Sequence, residues 1–447
     1  MTLDTDQVLP QRIAFLMDNL KGGGAERVML SLASGFSALG YDVDLLVCEM
    51  HGELCDSIPD GVNLVVLAPT RLLAGLWTAL SSHRGVAAKI LSYIVSNRKV
   101  PRSFRFIRAI SDHLLLQRPA VILSTLSKAN INAVLAVALA GVETRVCLGI
   151  QNSMSTRYKQ GVKLDQGQFH NMIPLLRHCY ARADSVIASS RGVAEDATAF
   201  LGLNPKRLHV VYNPVHVTEL AKVMEEPLRH PWFTPGAAPV LLSIGRFVDQ
   251  KNFPLLVEAF AKVRQRIDAR LVIIGGDESS SDQMVHRLRL QALAADLGVG
   301  DDIDLPGYQP NPYPYLKAAG VFVLSSDYEG FGNVLIEALL AGCPVVSTDC
   351  PSGPSEILHD GQYGILVPVD DSDSLADAIL EALAIAPQRD KLRQRGREFS
   401  LERAVDGYHR QFFGEPPVRA ATTSVDSHPL NAVRRPSKVA ARRCPSA

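Results

Sequence analysis

Apolar residues along this chain fall in short runs separated by longer amphipathic stretches, and the two kinds alternate from end to end. The runs Ile13–Met17, Val43–Val47, Val62–Leu67, Val121–Ser124, Arg145–Leu148, Ser185–Ala188 and His209–Tyr212 predict strands, most of them separated by helical segments. A stretch rich in proline follows, through Pro214, Pro227, Pro231, Pro235 and Pro239, and reads as a linker. The rhythm restarts at Val240–Gly245 and continues with Leu271–Ile274, Ile303–Leu305, Val321–Leu324, Val345–Ser347 and Ile365–Val367. Apolar strands alternating with helices predict parallel sheets covered on both faces. The expected architecture is therefore α/β, with two doubly wound, Rossmann-like halves. We place the first at 1–215, a linker at 216–239, the second at 240–400, a helix at 401–414 that packs back on the first half, and a disordered basic tail at 415–447.

Size and composition agree with this picture. A chain of 447 residues exceeds one ordinary core, and 47% hydrophobic with 21% charged residues is the balance of a globular protein with large cores. Lysine plus arginine equals aspartate plus glutamate at 46 each, so net charge says nothing about partners. Seven cysteines without a CxxC pair argue against a disulfide framework or a zinc cluster and suit a reducing compartment. The first ten residues are unlike a secretory signal, and the purest apolar run, about Ala133–Ala140, falls far short of the ~20 residues of a membrane helix. The expectation is a cytoplasmic protein.

Charge distribution is more telling. Between Arg71 and Arg118 lie nine basic residues and one acidic residue, Asp112, interleaved with Leu72, Leu73, Leu76, Trp77, Leu80, Ile90, Leu91, Tyr93 and Ile94. A basic, amphipathic surface with tryptophan and tyrosine suits the anionic face of a bilayer, and peripheral attachment there is one reading. The other is a helical insertion with solvated arginines. Nucleic-acid binding is not expected, since the stretch matches no recognisable module.

The sharpest chemical signal is Glu329-Gly330-Phe331-Gly332-Asn333-Val334-Leu335-Ile336-Glu337, directly after the strand Val321–Leu324. Its glycines let backbone approach a ligand, and the helix opening at Val334 turns N–H groups toward a phosphate or pyrophosphate. The alternative is a capping acid and a structural glutamate around an ordinary turn. Gly245 and Arg246 end the first strand of the second half, and Lys251 follows five residues on. A glycine and two cations at a strand end suit a diphosphate. Gly275, closing the next strand, leaves room for a nucleoside. In the first half, Gly22, Gly23 and Gly24 form a loop between strand and helix whose glycines allow close approach to the diphosphate or acceptor, a purely structural tight turn being the alternative. It is neither G-x-G-x-x-G nor a Walker loop, which makes it weak evidence for NAD or ATP.

These motifs together resemble the family 4 retaining glycosyltransferases: Leu242–Phe253, Leu305–Tyr308, Ser325–Glu337 with seven residues between its two glutamates, Ser347–Pro354, and Gly22–Arg27. The likeness covers most of residues 12 to 413. It implies a GT-B fold, in which two Rossmann-like domains face across a cleft, and a nucleotide-diphosphate sugar bound by the second domain. By that resemblance Arg246 and Lys251 neutralise the diphosphate, Glu337 binds the ribose, Glu329 orients the donor sugar, and backbone near Gly330, Phe331, Gly332, Asn333 and Val334 touches the donor. Catalytic duty falls on Arg246, Lys251 and Glu329. No metal and no separate cofactor are expected. The partners implied are a UDP- or GDP-sugar and a glycan or glycolipid acceptor of envelope or polysaccharide biosynthesis.

One departure stands out. Ser124–Ser127 carries no histidine, and Gln151 stands where relatives often have one. Gln151 and Asn152 are candidate acceptor contacts, but an amide is no base. His113 lies inside an apolar helix and reads as packing. The first-half catalytic residue is thus unassigned. Rival readings are a GT-B epimerase or hydrolase of sugar nucleotides, and an idle sugar-nucleotide-binding subunit.

Overall fold

A computed structural model describes residues 11–83, 85–163, 168–276, 280–415 and 417. It divides into two units. One comprises the chain up to Ser189, then Val193–Pro214 and the segment from Leu401; the other comprises Ser190–Gly192 and Val215–Ser400.

The first unit holds β1 (Arg12–Met17), α1 (Gly24–Ala38), β2 (Asp42–Val47), β3 (Val62–Val66), α2 (Leu72–Ser81), α3 (Ala87–Asn97), α4 (Ile107–Gln117) and β4 (Val121–Thr125). It continues with α5 (Ser127–Ala140), β5 (Arg145–Ile150), α6 (Met154–Lys163), α7 (Gln168–Tyr180), β6 (Ser185–Ala188), α8 (Arg191–Leu201) and β7 (Leu208–Val210). All seven strands pair in parallel, in the order β3-β2-β1-β4-β5-β6-β7. The order reverses between β1 and β4, where an open sheet of this kind leaves a crevice beyond its carboxyl ends.

The second unit holds α9 (Val217–Val223), β8 (Val240–Ile244), α10 (Phe253–Arg264), β9 (Arg270–Ile274), α11 (Ser281–Asp296), β10 (Ile303–Gly307) and α12 (Tyr313–Ala318). After them come β11 (Val321–Leu324), α13 (Asn333–Ala341), β12 (Val345–Thr348), α14 (Pro354–Leu358), β13 (Ile365–Val367), α15 (Ser372–Ala384) and α16 (Arg389–Arg397). Its six parallel strands run β10-β9-β8-β11-β12-β13, and the order reverses between β8 and β11. The inner strands β1, β4, β8, β9 and β11 are buried almost throughout, which is why they read as continuous apolar runs.

The last helix, α17 (Leu401–Phe413), belongs to the first unit. Phe36 of α1 stacks on Phe412 at 5.1 Å, and the Tyr41 hydroxyl lies 2.7 Å from His409 Nε2. Val405 sits where a side chain at Gly35 would, so the glycine lets α17 lie close on α1.

Two expectations need correction. The stretch 216–239 is no free linker. Ahead of its prolines it forms α9, Asn311 Nδ2 donates to the Val223 carbonyl at 2.9 Å, and His230 lies 2.9 Å from Asp304 and packs edge-on against Tyr315. Proline breaks helices and ladders but does not stop a segment from burying its aromatic residues on a neighbouring sheet edge. His113 does more than pack: its Nε2 lies 2.9 Å from the buried Asp44 carboxylate, which also accepts from Arg12 and Asn63. Burial acts to raise the Asp44 pKa, but these donors outweigh it and hold the carboxyl below its usual range. Apart from Glu415 and Pro417, the tail expected at 415–447 lies outside the described residues.

Candidate active site

In the second unit the predicted residues converge on the carboxyl ends of β8, β9, β11 and β12, around the point where strand order reverses. Gly245 and Arg246 leave β8, Gly275 leaves β9, the segment 325–332 joins β11 to α13, and 349–353 follows β12. Parallel strands bring all four ends to one edge, although they lie more than a hundred residues apart in the chain.

The centre of the cluster is an ion pair. Lys251 Nζ lies 2.6 Å from Glu329 Oε1, with side chains only 16% and 9% exposed. The same oxygen accepts from Ser326 Oγ at 2.7 Å, and Gln250 Nε2 lies 3.4 Å from the other. The pair stands on a braced floor. Ser325 Oγ donates to the Lys251 carbonyl at 2.8 Å, and Thr348 Oγ1 donates to the Ser326 carbonyl at 2.6 Å. A charge removed from water persists only if paired and hydrogen-bonded, and this one is.

Glycines explain how the lysine reaches its partner. A side chain on Gly245 would lie 3.0 Å from Lys251 Cε, so the lysine stem crosses the bare backbone there. Gly275 has φ +128°, and a Cβ on it would sit 2.2 Å from the Gly245 carbonyl oxygen. Gly332 (φ +93°) precedes α13 and offers no side-chain cap to its first turn. Gly353 (φ +97°) lies so close to the Phe331 carbonyl that a Cβ would stand 1.9 Å from its oxygen. The loop before α13 therefore rests directly on the turn after β12.

The two cations differ in setting. Arg246 is exposed, and among the described residues its guanidinium forms no ion pair. Lys251 is aimed by a carboxylate. Glu337 is half-buried on α13, one turn past Asn333, whereas the Phe331 ring is buried against Phe399 at 5.7 Å and offers a ligand only its backbone. Cys350, buried nearby, has its thiol pushed well up by burial and by Glu329. It is no nucleophile. Among the described residues no cluster of three histidine, cysteine or acidic side chains could hold a metal ion.

In the first unit Gly22, Gly23 and Gly24 follow β1 and open α1. Gly22 has φ +87°, and side chains on Gly22 or Gly23 would strike the carboxylates of Glu53 and Glu26. Gly24 faces open space. The loop thus carries charges of both signs, for Lys21 is exposed within it and Arg27 Nε donates to the Gly22 carbonyl at 3.3 Å. Gln151 is buried just past β5, with Asn152 exposed beside it. Sequence reasoning passed over three groups. Ser326 and Gln250 brace Glu329, and Asp18 stands at the carboxyl end of β1. A polar residue at a strand end, directly before a glycine loop, was the available signal for the last.

Comparisons with known proteins come from both halves. The family model for glycosyltransferase family 4 matches residues 22–219, and that for glycosyl transferases group 1 matches residues 224–399. The lipopolysaccharide core biosynthesis glycosyltransferase LpsE of Rhizobium meliloti is 31% identical over 271 residues, covering 59% of this chain and 74% of that protein. The N-acetylgalactosamine-N,N'-diacetylbacillosaminyl-diphospho-undecaprenol 4-alpha-N-acetylgalactosaminyltransferase of Campylobacter jejuni is 27% identical over 387 residues, covering 86% of this chain and 92% of the relative. Among solved structures, Anabaena HepE in complex with UDP and glucose aligns with a TM-score of 0.68 at 16% identity, covering 90% of this chain and all of that one. The lipopolysaccharide outer core galactosyltransferase WaaB aligns at 0.64 with 20% identity, covering 90% and 99%. These likenesses show the GT-B fold.

Proposed function

Since the chain belongs to glycosyltransferase family 4, we propose that it moves a sugar, with retention of anomeric configuration and without a metal ion, from a UDP- or GDP-sugar to a glycan or lipid-linked acceptor of envelope polysaccharide assembly. The observation that carries this reading is the buried Lys251–Glu329 pair at the switch point of the second sheet.

As the bond from the sugar's anomeric carbon to the diphosphate breaks, negative charge gathers on the departing phosphate. Lys251, held in place by Glu329, and the exposed Arg246 supply positive charge there, a preorganised form of leaving-group stabilisation. Glu337 takes the ribose hydroxyls, and the glycine-rich turn before α13 lets backbone meet the donor. An acceptor among lipopolysaccharides or related glycans is the class that LpsE and WaaB support.

Thermal shift with a panel of UDP- and GDP-sugars, then turnover on membrane lipid extract with EDTA present, tests the reading. The expected product keeps the donor's anomeric configuration by NMR. An inverted product, or activity abolished by EDTA and restored by a divalent ion, would overturn it.

Peripheral attachment to an anionic membrane forms part of the proposal. Among the described residues no helix is long and apolar enough to cross a bilayer. Yet Leu73 and Trp77, one turn apart on α2, are 77% and 74% exposed, as are Val95 of α3 and Leu116 of α4 at 75% and 78%. Arg71, Arg98, Lys99, Arg102 and Arg118 of the same stretch of chain are exposed as well. Exposed apolar side chains and cations in one stretch of chain suit phospholipid headgroups. The protein is expected to float with vesicles containing one-third phosphatidylglycerol and not with phosphatidylcholine alone. Leu73→Ser/Trp77→Ser should lose most of that flotation.

A further inference from the structure

The first unit's switch point, between β1 and β4, carries polar groups that the donor chemistry leaves unused. Asp18 follows β1, and its carboxyl is half-buried yet makes no hydrogen bond or ion pair among the described residues. Register pairs Leu16 with Ser124, which brings Asp18 beside the turn that leads from β4 into α5. That turn is strained. Leu126 has φ +70° and ψ 146°, a region L-residues avoid and which persists only where surrounding structure enforces it.

The enforcement is visible below the turn. Ser124 Oγ donates to Asn130 Oδ1 at 2.7 Å, and Asn130 Nδ2 donates to the Gly149 carbonyl at 2.9 Å and to the Tyr180 hydroxyl at 2.6 Å. This network is buried and fixes the start of α5. On either side of Leu126, however, the hydroxyls of Thr125 and Ser127, 3% and 4% exposed, find no partner. Buried polar groups are nearly always satisfied, so two orphans bracketing one turn mark it as a strained spot in the fold, and both lie too deep to touch a ligand themselves.

The charges near Asp18 narrow what it could bind. Burial drives the Asp18 pKa up to about 6, Lys128 on α5 pulls it down, and Glu49 after β2 and Glu26 on α1 push it further up. An anionic ligand would meet three carboxylates there. A neutral polyol would meet an acceptor and an ammonium.

We propose that Asp18 and Lys128 are specificity-determining residues that grip neighbouring hydroxyls of the acceptor sugar. The ionised carboxyl accepts from the sugar hydroxyls and the ammonium donates to one of them, while Leu126 holds α5 at the distance the sugar requires. The inference rests on the glycosyl-transfer reading, for which Asp18 supplies the first-half polar group that Gln151 cannot.

Saturation-transfer NMR on the full chain tests it, with methyl α-glucoside, α-galactoside, α-mannoside and N-acetylglucosaminide as probes and UDP as the reference ligand. Wild type should transfer to at least one glycoside, and Asp18→Asn and Lys128→Met should lower that signal at least fivefold with the UDP signal unchanged. A carboxylate accepts more strongly than a carboxylic acid, so the wild-type glycoside signal should fall from pH 7.5 to pH 5, and that of Asp18→Asn should not. Folded Asp18 holds its proton up to about pH 6 and unfolded Asp18 only to about 3.8. The ionised, unpaired group therefore destabilises the fold above that window, and Asp18→Asn should melt no lower than wild type at pH 7.5. No transfer to any glycoside in wild type, equal transfer in the variants, or a lower melting temperature for Asp18→Asn overturns the proposal. Absence of a UDP signal in wild type counts against the sugar-nucleotide reading instead, and leaves the glycoside comparison standing.

Discussion

Lys251→Met will lower turnover by about 10²–10³-fold, the usual consequence of removing one preorganised charge from a transition state. Methionine keeps the stem that crosses Gly245 and deletes only the ammonium. The same change leaves Glu329 buried without its counter-ion, which costs about 3–5 kcal/mol of stability in comparable buried pairs. These two effects must be separated. Lys251→Met/Glu329→Gln removes both charges and keeps Ser326 as a donor to the side-chain oxygen, so most of the stability should return. Turnover should not. Chemical denaturation paired with steady-state kinetics reads both quantities. A double variant that regains activity along with stability would show that Lys251 serves the fold alone, and turnover of Lys251→Met within threefold of wild type would remove it from the reaction.

Gly353→Ala tests the other half of the proposed donor site without touching a charged group. At φ +97° alanine is already strained by about 1–3 kcal/mol. Its Cβ would also stand 1.9 Å from the Phe331 carbonyl oxygen, and that obstacle is backbone rather than the end of a flexible side chain. The loop from Glu329 to Gly332 must shift, and with it the first turn of α13. We expect a stability loss of about 3 kcal/mol, the upper end for such strain. Donor affinity should weaken by about tenfold or more, since displacements on the order of 1 Å carry penalties up to ~10²-fold in rate. Calorimetric titration with UDP measures the first-order effect. Gly24→Ala is the internal control for stability, because nothing lies within 4 Å of that position. Unchanged UDP affinity in Gly353→Ala would mean that the turn before α13 does not bear on the nucleotide.

The chain's own pattern determined a good deal. Strands such as β8 and β11 are buried on both faces, and burial on both faces forces a continuous apolar run that is readable without coordinates. The motif from Glu329 to Glu337 was equally legible, because a strand end, a glycine turn and a helix start are neighbours in sequence. So was the likeness to family 4, which several ordered motifs carried together. The segment 216–239 was misread for the converse reason. Its prolines are local signals, whereas the packing of His230 and Tyr315 is a contact between residues 85 apart.

Only the tertiary structure decided which residues act as a set. Lys251 and Glu329 are 78 positions apart, and nothing in either neighbourhood says that they form a pair from which Arg246 stands apart. Strand order has the same character. Spacing predicted parallel strands but not that β1 adjoins β4 or that β8 adjoins β11, and those two adjacencies place both crevices. Asp18 shows the limit most plainly. As a letter it is one aspartate after a strand; its burial, its lack of a partner and the strained turn beside it come from chain segments more than a hundred residues away. Local pattern determines which elements form, because propensity and periodicity act over a few residues. Long-range packing determines which side chains meet, and the chemistry of this protein lies in those meetings.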